Sequence, residues 1–149
     1  MKLKQKIKNA ELTIGSWITL GNTSVAEIMA NAGYDWLVVD LEHTTISVEQ
    51  AGELIRTIEL SGISSLVRLT NNDESQIKRM LDAGARGIVV PMVKSASDAK
   101  YAVAATRYPP LGNRGVGLAR AQCYGSSFKE YFSWQADTND GPIVVVQIE

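Results

Sequence analysis

Trp36-Leu37-Val38-Val39-Asp40-Leu41-Glu42-His43 is a short apolar run that closes on polar groups. A strand wetted on one face alternates apolar and polar residues. A run without alternation belongs to a strand covered on both faces, the habit of parallel sheets with helices on either side. The strand predicted over residues 34–41 follows Asn31-Ala32-Gly33, a helix stop. After it, Thr45 or Ser47 can cap a helix that runs to Leu60, with Val48, Leu54, Ile55 and Ile58 on its apolar side. Strand, helix, strand is therefore the local order around this run.

The same alternation extends in both directions. Residues 13–20 form the first predicted strand, ending at Gly21-Asn22, and Thr23 or Ser24 can cap a helix over residues 25–31. Residues 64–69 are the third strand. Asn71, Asn72 or Asp73 then caps a helix to Leu81, which Asp82-Ala83-Gly84 stops. The fourth strand, residues 86–90, is closed by Pro91, which has no N–H for a central ladder. A helix over residues 95–107 ends at Pro109-Pro110, residues 111–125 read as a loop, and residues 126–135 as a short aromatic helix. Residues 143–148 are the fifth strand. Helical crossovers imply parallel strands and right-handed connections, so the fold class is α/β.

Open sheet and barrel remain to be separated. No GxGxxG opens the first helix, which leaves a dinucleotide fold little support. The polar groups instead gather at successive strand ends: Asp40 to His43, Arg68, Pro91, then Gln147 and Glu149. Function spread over many strand ends is the habit of the (β/α)8 barrel, which takes about 250 residues and eight strands. The expectation is a partial TIM barrel covering about the first five strands, with residues 1–149 as the N-terminal part of a single domain. Its open flanks need cover from another chain or segment.

Hydrophobic content of 45%, charged content of 21% and a net charge of -1 are ordinary for a globular protein. No basic run suggests nucleic acid. The lysine-rich start is not followed by a long apolar stretch, so neither a signal peptide nor a membrane span is expected. It reads as an amphipathic helix with Leu3, Ile7 and Ala10 on one face. Cys123 is the sole cysteine, which fits a reducing cytoplasm, and it is expected as a buried or neutral thiol rather than a nucleophile.

Several residues invite chemistry. His43, the one histidine, stands at a strand-to-loop junction beside acids and could exchange protons near neutrality; the plain alternative is a solvated loop histidine. The D-x-E-H spacing is not a zinc motif. Arg68 could fork onto a substrate carboxylate or pair with a strand-end acid. Asp82 ends a helix, where the macrodipole disfavours acids; it either orients another group or serves the turn. Gln147 and Glu149 share one face of the last strand, and such oxygen donors suit Mg or Mn. In LGNRGVGLAR, residues 111–120, glycines with Arg114 and Arg120 could approach an anion, although the Walker ending is lacking. Lys94, after the fourth strand, offers a Schiff-base alternative.

GSWITLGN, AGYDWLVVDLEHT, VRLTNND, QIKRMLDAGARGIVVPMV, ATRYPPLGNRGVG and VVVQIE, in this order and spacing, resemble the HpcH/HpaI aldolase family. The resemblance is assigned to the N-terminal portion only. It implies a cytoplasmic, oligomeric, metal-dependent lyase that cleaves a 4-hydroxy-2-oxo acid reversibly to pyruvate and an aldehyde. By the same resemblance His43 is the base, Arg68 binds the pyruvyl part, Asp82 supports the histidine, Gln147 contacts substrate and Glu149 is a metal ligand. Mg or Mn is the expected metal, with Co and Zn as alternatives. The isolated chain is expected to have little activity. The rival expectations are an inactive partial barrel that self-associates and a metal-enolate enzyme with another electrophile.

Overall fold

The computed structural model describes residues 3–149. A short helix α1 (Leu3–Lys8) precedes β1 (Gly15–Ile18), α2 (Thr23–Ala30), β2 (Trp36–Asp40), α3 (Val48–Leu60), β3 (Ser64–Arg68), α4 (Glu74–Asp82), β4 (Gly87–Val93), α5 (Ala96–Thr106), α6 (Phe128–Ala136) and β5 (Ile143–Ile148). The five strands form one parallel sheet in the order β1-β2-β3-β4-β5. Helices flank it, giving a partial TIM-barrel-like fold. No helix among the described residues is long and apolar enough to cross a membrane.

Local chemistry sets the boundaries. Asn22, rather than Thr23 or Ser24, caps α2; its side chain accepts the N–H of Ser24 at 2.9 Å and of Val25 at 3.3 Å. Ser47 caps α3 in a reciprocal box with Gln50. Asp73 caps α4 and Ser95 caps α5. Gly33 and Gly84, at φ 93° and 104°, turn the chain out of α2 and α4 in a region costly for other residues.

Two departures from expectation stand out. β4 does not stop at Pro91 but continues to Val93, with a bulge between Val90 and Val93. Pro91 cannot donate to the ladder, and pairing resumes where Val93 meets Ile148. Residues 111–125 are also not a free loop: they contain a 3-10 stretch, Arg120–Gly125, whose Cys123 and Tyr124 sit at φ 47° and 55°. Cys123 is exposed, not buried.

Strand alternation separates two apolar layers. Val39, Val67, Ile88 and Val90 pack outward against Leu54, Ile55, Ile58, Ile77 and Leu81 of the helices. On the concave side Val38, Leu66, Val89 and Ile143 meet Leu3 of α1 and the edge of Trp36. Gly15 lets that indole in, since a Cβ there would run into the ring. Lys4 Nζ donates to the carbonyls of Gly141 and Pro142, both at 3.1 Å, tying α1 under the strand starts.

Candidate functional site

The concave face changes character toward the strand ends. Asp40 pairs in register with Arg68, one alternation step above the pairing of Val38 with Leu66. Asp40 is only 2% exposed. Its carboxylate receives Arg68 as a fork, Nε to Oδ1 at 2.8 Å and Nη2 to Oδ2 at 2.7 Å. Planar two-point pairing fixes the guanidinium more firmly than a lysine contact would. Trp17 of β1 lies beneath it, with Cζ 4.6 Å from the ring centroid. Nη1 takes no part in the fork.

Asp40 also shapes the turn that follows it. Its Oδ1 accepts the backbone N–H of Glu42 at 3.0 Å and of His43 at 3.4 Å, while the Thr44 hydroxyl donates to its carbonyl. Burial alone would push the Asp40 carboxyl up; the Arg68 hydrogen bonds and these N–H groups outweigh it and hold it below the usual carboxylate range. Arg68 is raised, chiefly by its hydrogen bond to Asp40.

Glu42 stands 3.3 Å from Arg68 Nε and 3.7 Å from His43 Nε2. The His43 side chain is 70% exposed, open to a substrate arriving at the strand ends. Gln147 and Glu149 project from the face of β5 that carries Ile143. Glu149 also contributes to the field on Arg68. His43, Arg68, Gln147 and Glu149 therefore belong to one end of the sheet. Among the described residues no three His, Cys, Asp or Glu groups gather closely enough to hold a metal by themselves. The oxygen donors present fit a hard divalent cation with few direct protein ligands.

Asp82 is placed differently. It ends α4, and Arg86, just beyond, donates its N–H to Ser65 near the start of β3. The α4 end thus lies toward the strand starts, away from His43. Its Oδ1 accepts Arg114 Nη2 at 2.6 Å. The expected support of His43 by Asp82 is not made within the chain.

Arg114 is not an anion-binding loop residue. It is fully buried, donates to the Tyr131 hydroxyl at 3.0 Å, and lies over the Tyr108 and Tyr131 rings at 4.9 and 5.5 Å. Arg120 Nη1 donates to the Ala83 carbonyl at 3.1 Å. Both arginines are spent on the end of α4, where cations suit the helix dipole. Burial raises the Tyr131 and Tyr108 hydroxyls above their ordinary range. Phenolate absorbance during alkaline titration should show both ionising late. Their stabilising contribution is complete below the unfolded value of 10.0 and is lost as pH rises through the folded values. All five tyrosines titrating together in the ordinary range with the fold intact would contradict this.

Asp40 and Trp17 are site groups to which sequence reasoning gave no role of their own. Asp40 was visible as the acid closing the apolar run. Trp17 carried no signal beyond its place in the first strand. Lys94 is exposed and its backbone N–H is bound to the Asp98 carboxylate, outside the kind of apolar pocket in which Schiff-base lysines are activated.

The HpcH/HpaI aldolase/citrate lyase family model matches residues 13–149. A 4-hydroxy-2-oxo-heptane-1,7-dioate aldolase of Salmonella arizonae is 42% identical over 146 residues, 98% of this chain and 55% of that protein. The crystal structure of an HpcH/HpaI aldolase/citrate lyase family protein from Burkholderia cenocepacia J2315 has a TM-score of 0.86 at 33% identity, covering 99% of this chain and 59% of that one. The citrate synthase SbnG gives 0.80 at 30% identity, over 99% and 56% of the two chains. The chain thus spans about half the length of the curated relatives it matches. The expectation of a match limited to the N-terminal portion is corrected: the likeness takes in nearly all of these 149 residues. The reason is that the motifs carrying it recur in every strand–helix unit, through to VVVQIE.

Proposed function

This chain belongs to the HpcH/HpaI aldolase/citrate lyase family, and from that premise we propose that it serves a divalent-metal-dependent aldolase. The reaction is reversible cleavage of a 4-hydroxy-2-oxo acid to pyruvate and an aldehyde. Residues 1–149 are taken as part of a single barrel domain. The observation that carries the reading is Arg68, held by Asp40 and Trp17 with Nη1 spare, at the strand ends that also bear His43, Gln147 and Glu149.

Each residue has a chemical task. As the C3–C4 bond breaks, negative charge grows on the 2-oxo oxygen. Arg68, fixed beforehand, stabilises that charge without reorganising. His43 takes the proton of the 4-hydroxyl, and its exposure leaves room for the aldehyde part. Gln147 orients the acid. Glu149 would hold the cation, Mg or Mn in the first instance with Co or Zn as alternatives, and the bound cation would supply Lewis-acid polarisation of the 2-oxo acid. Self-association is part of the reading, because Trp17, Val145 and Ile148 are exposed apolar groups on the two outer strands. The likeness to SbnG favours, as a second reading, the same enolate chemistry with another electrophile.

The test is dependence rather than speed. With a 4-hydroxy-2-oxo acid and Mn2+, pyruvate release should stop on chelation and return when Mn2+ is restored. His43→Ala should lower it roughly 10²–10⁴-fold. Release that survives chelation, or is trapped by borohydride on Lys94, overturns the reading.

A further inference from the structure

We propose that, before the acid substrate arrives, Glu42 and Gln147 are acceptors for water bound to the divalent cation, positioning its hydration shell rather than ligating it or bracing the fold. The inference rests on the metal-dependent reading above. It starts from two atoms without hydrogen-bond donors: Glu42 Oε2 and Gln147 Oε1 are buried and accept no hydrogen bond. An unsatisfied buried acceptor costs about 1–3 kcal/mol, so folded proteins keep few without a reason.

A structural explanation is poor for both. Glu42 Oε2 lies 3.3 Å from Arg68 Nε, but that N–H is already given to Asp40 Oδ1 at 2.8 Å. Arg68 is already forked onto Asp40, so Glu42 adds an ion pair but receives no N–H from it. Asp40, Glu42 and Glu149 against the one guanidinium leave the mouth with two surplus negative charges when His43 is neutral, the charge of a divalent cation. Gln147 shares its face of β5 with Glu149, one alternation step away.

The chemistry of the cation supplies the missing donors. Mg2+ and similar ions keep several waters when protein ligands are few, and no group of three candidate ligands is present among the described residues. Each bound water carries two acidified protons that seek acceptors. Outer-shell acceptors fix those waters and typically matter 10–100-fold in affinity.

Mn2+ binding to the full chain, followed by the loss of the free-ion electron paramagnetic resonance signal, tests the assignment. Glu42→Met and Gln147→Met keep the volume and remove the acceptor. Each should weaken Mn2+ binding about tenfold or more, and Glu42→Gln, which keeps an oxygen, should lose less than Glu42→Met. Without metal, Gln147→Met should melt no lower than the wild type, since it deletes an unpaired acceptor; Glu42→Met also gives up the 3.3 Å ion pair with Arg68 and is read on Mn2+ affinity and on its difference from Glu42→Gln. Unchanged Mn2+ affinity overturns the assignment for the residue concerned, and so does a lowered melting point of Gln147→Met without metal, which marks a bracing role. A wild type that binds no Mn2+ overturns the metal reading itself. A wild type that binds, with variants that bind equally, overturns only this inference.

Discussion

Arg114→Met is expected to destabilise the fold by about 3–5 kcal/mol, the range for removing one member of a buried charged pair. The residue is fully buried, and its partners are Asp82, the Tyr131 hydroxyl and two aromatic faces. Methionine fills much of the space but leaves Asp82 charged at the C-terminus of α4, where the helix dipole opposes it. The Asp82 side chain is 20% exposed, so water offsets part of the loss and the lower end of the range is favoured. Asp82→Asn combined with Arg114→Met should recover part of it by removing the stranded charge. Urea unfolding of the single and double variants decides the matter. A single-variant loss below about 1 kcal/mol, or a double variant no better than the single, would contradict the account.

Arg68→Met carries the second large effect, on stability and on activity together. Asp40 is left buried with only the backbone N–H groups of Glu42 and His43, at an expected cost of about 3 kcal/mol. The proposed turnover should fall about 10²–10³-fold, because charge on the 2-oxo oxygen loses its fixed counter-charge. Asp40→Asn added to Arg68→Met should restore stability but not turnover, which separates the two roles. Acid sensitivity offers an independent check. The Asp40 carboxyl is held below its unfolded value of 3.8. Its stabilisation is therefore complete above that value and fades as pH falls through the folded one. Losing Arg68 removes most of the depression, so the acid unfolding midpoint should move upward.

How far the sequence discloses this arrangement depends on the range of the interactions. Trp36–Asp40 announces a doubly covered strand because local composition and burial agree there. Ser47, Asp73 and Ser95 announce helix starts because capping is a contact between near neighbours. The continuation of β4 past Pro91 was hidden, since proline reads locally as a stop and only pairing with Ile148 revives the ladder. Arg114 was misread for a similar reason: a glycine-rich stretch looks mobile until Tyr108, Tyr131 and Asp82 are brought around it. Asp82 did leave a trace, as an acid at the wrong end of a helix. His43, Arg68, Gln147 and Glu149 were visible as strand-end groups, whereas the Asp40 fork beneath them needs the register of two strands.

The strand order β1-β2-β3-β4-β5 has a kinetic side. Each new strand adds beside the one made just before it, so no loop longer than one strand–helix unit has to close for the sheet to grow. Such a chain can zip from its first unit onward during synthesis. The grip of Lys4 on Gly141 and Pro142 is the exception, spanning 137 and 138 positions. It can form only once β5 is in place, which makes docking of α1 a late step in folding and an early one to open.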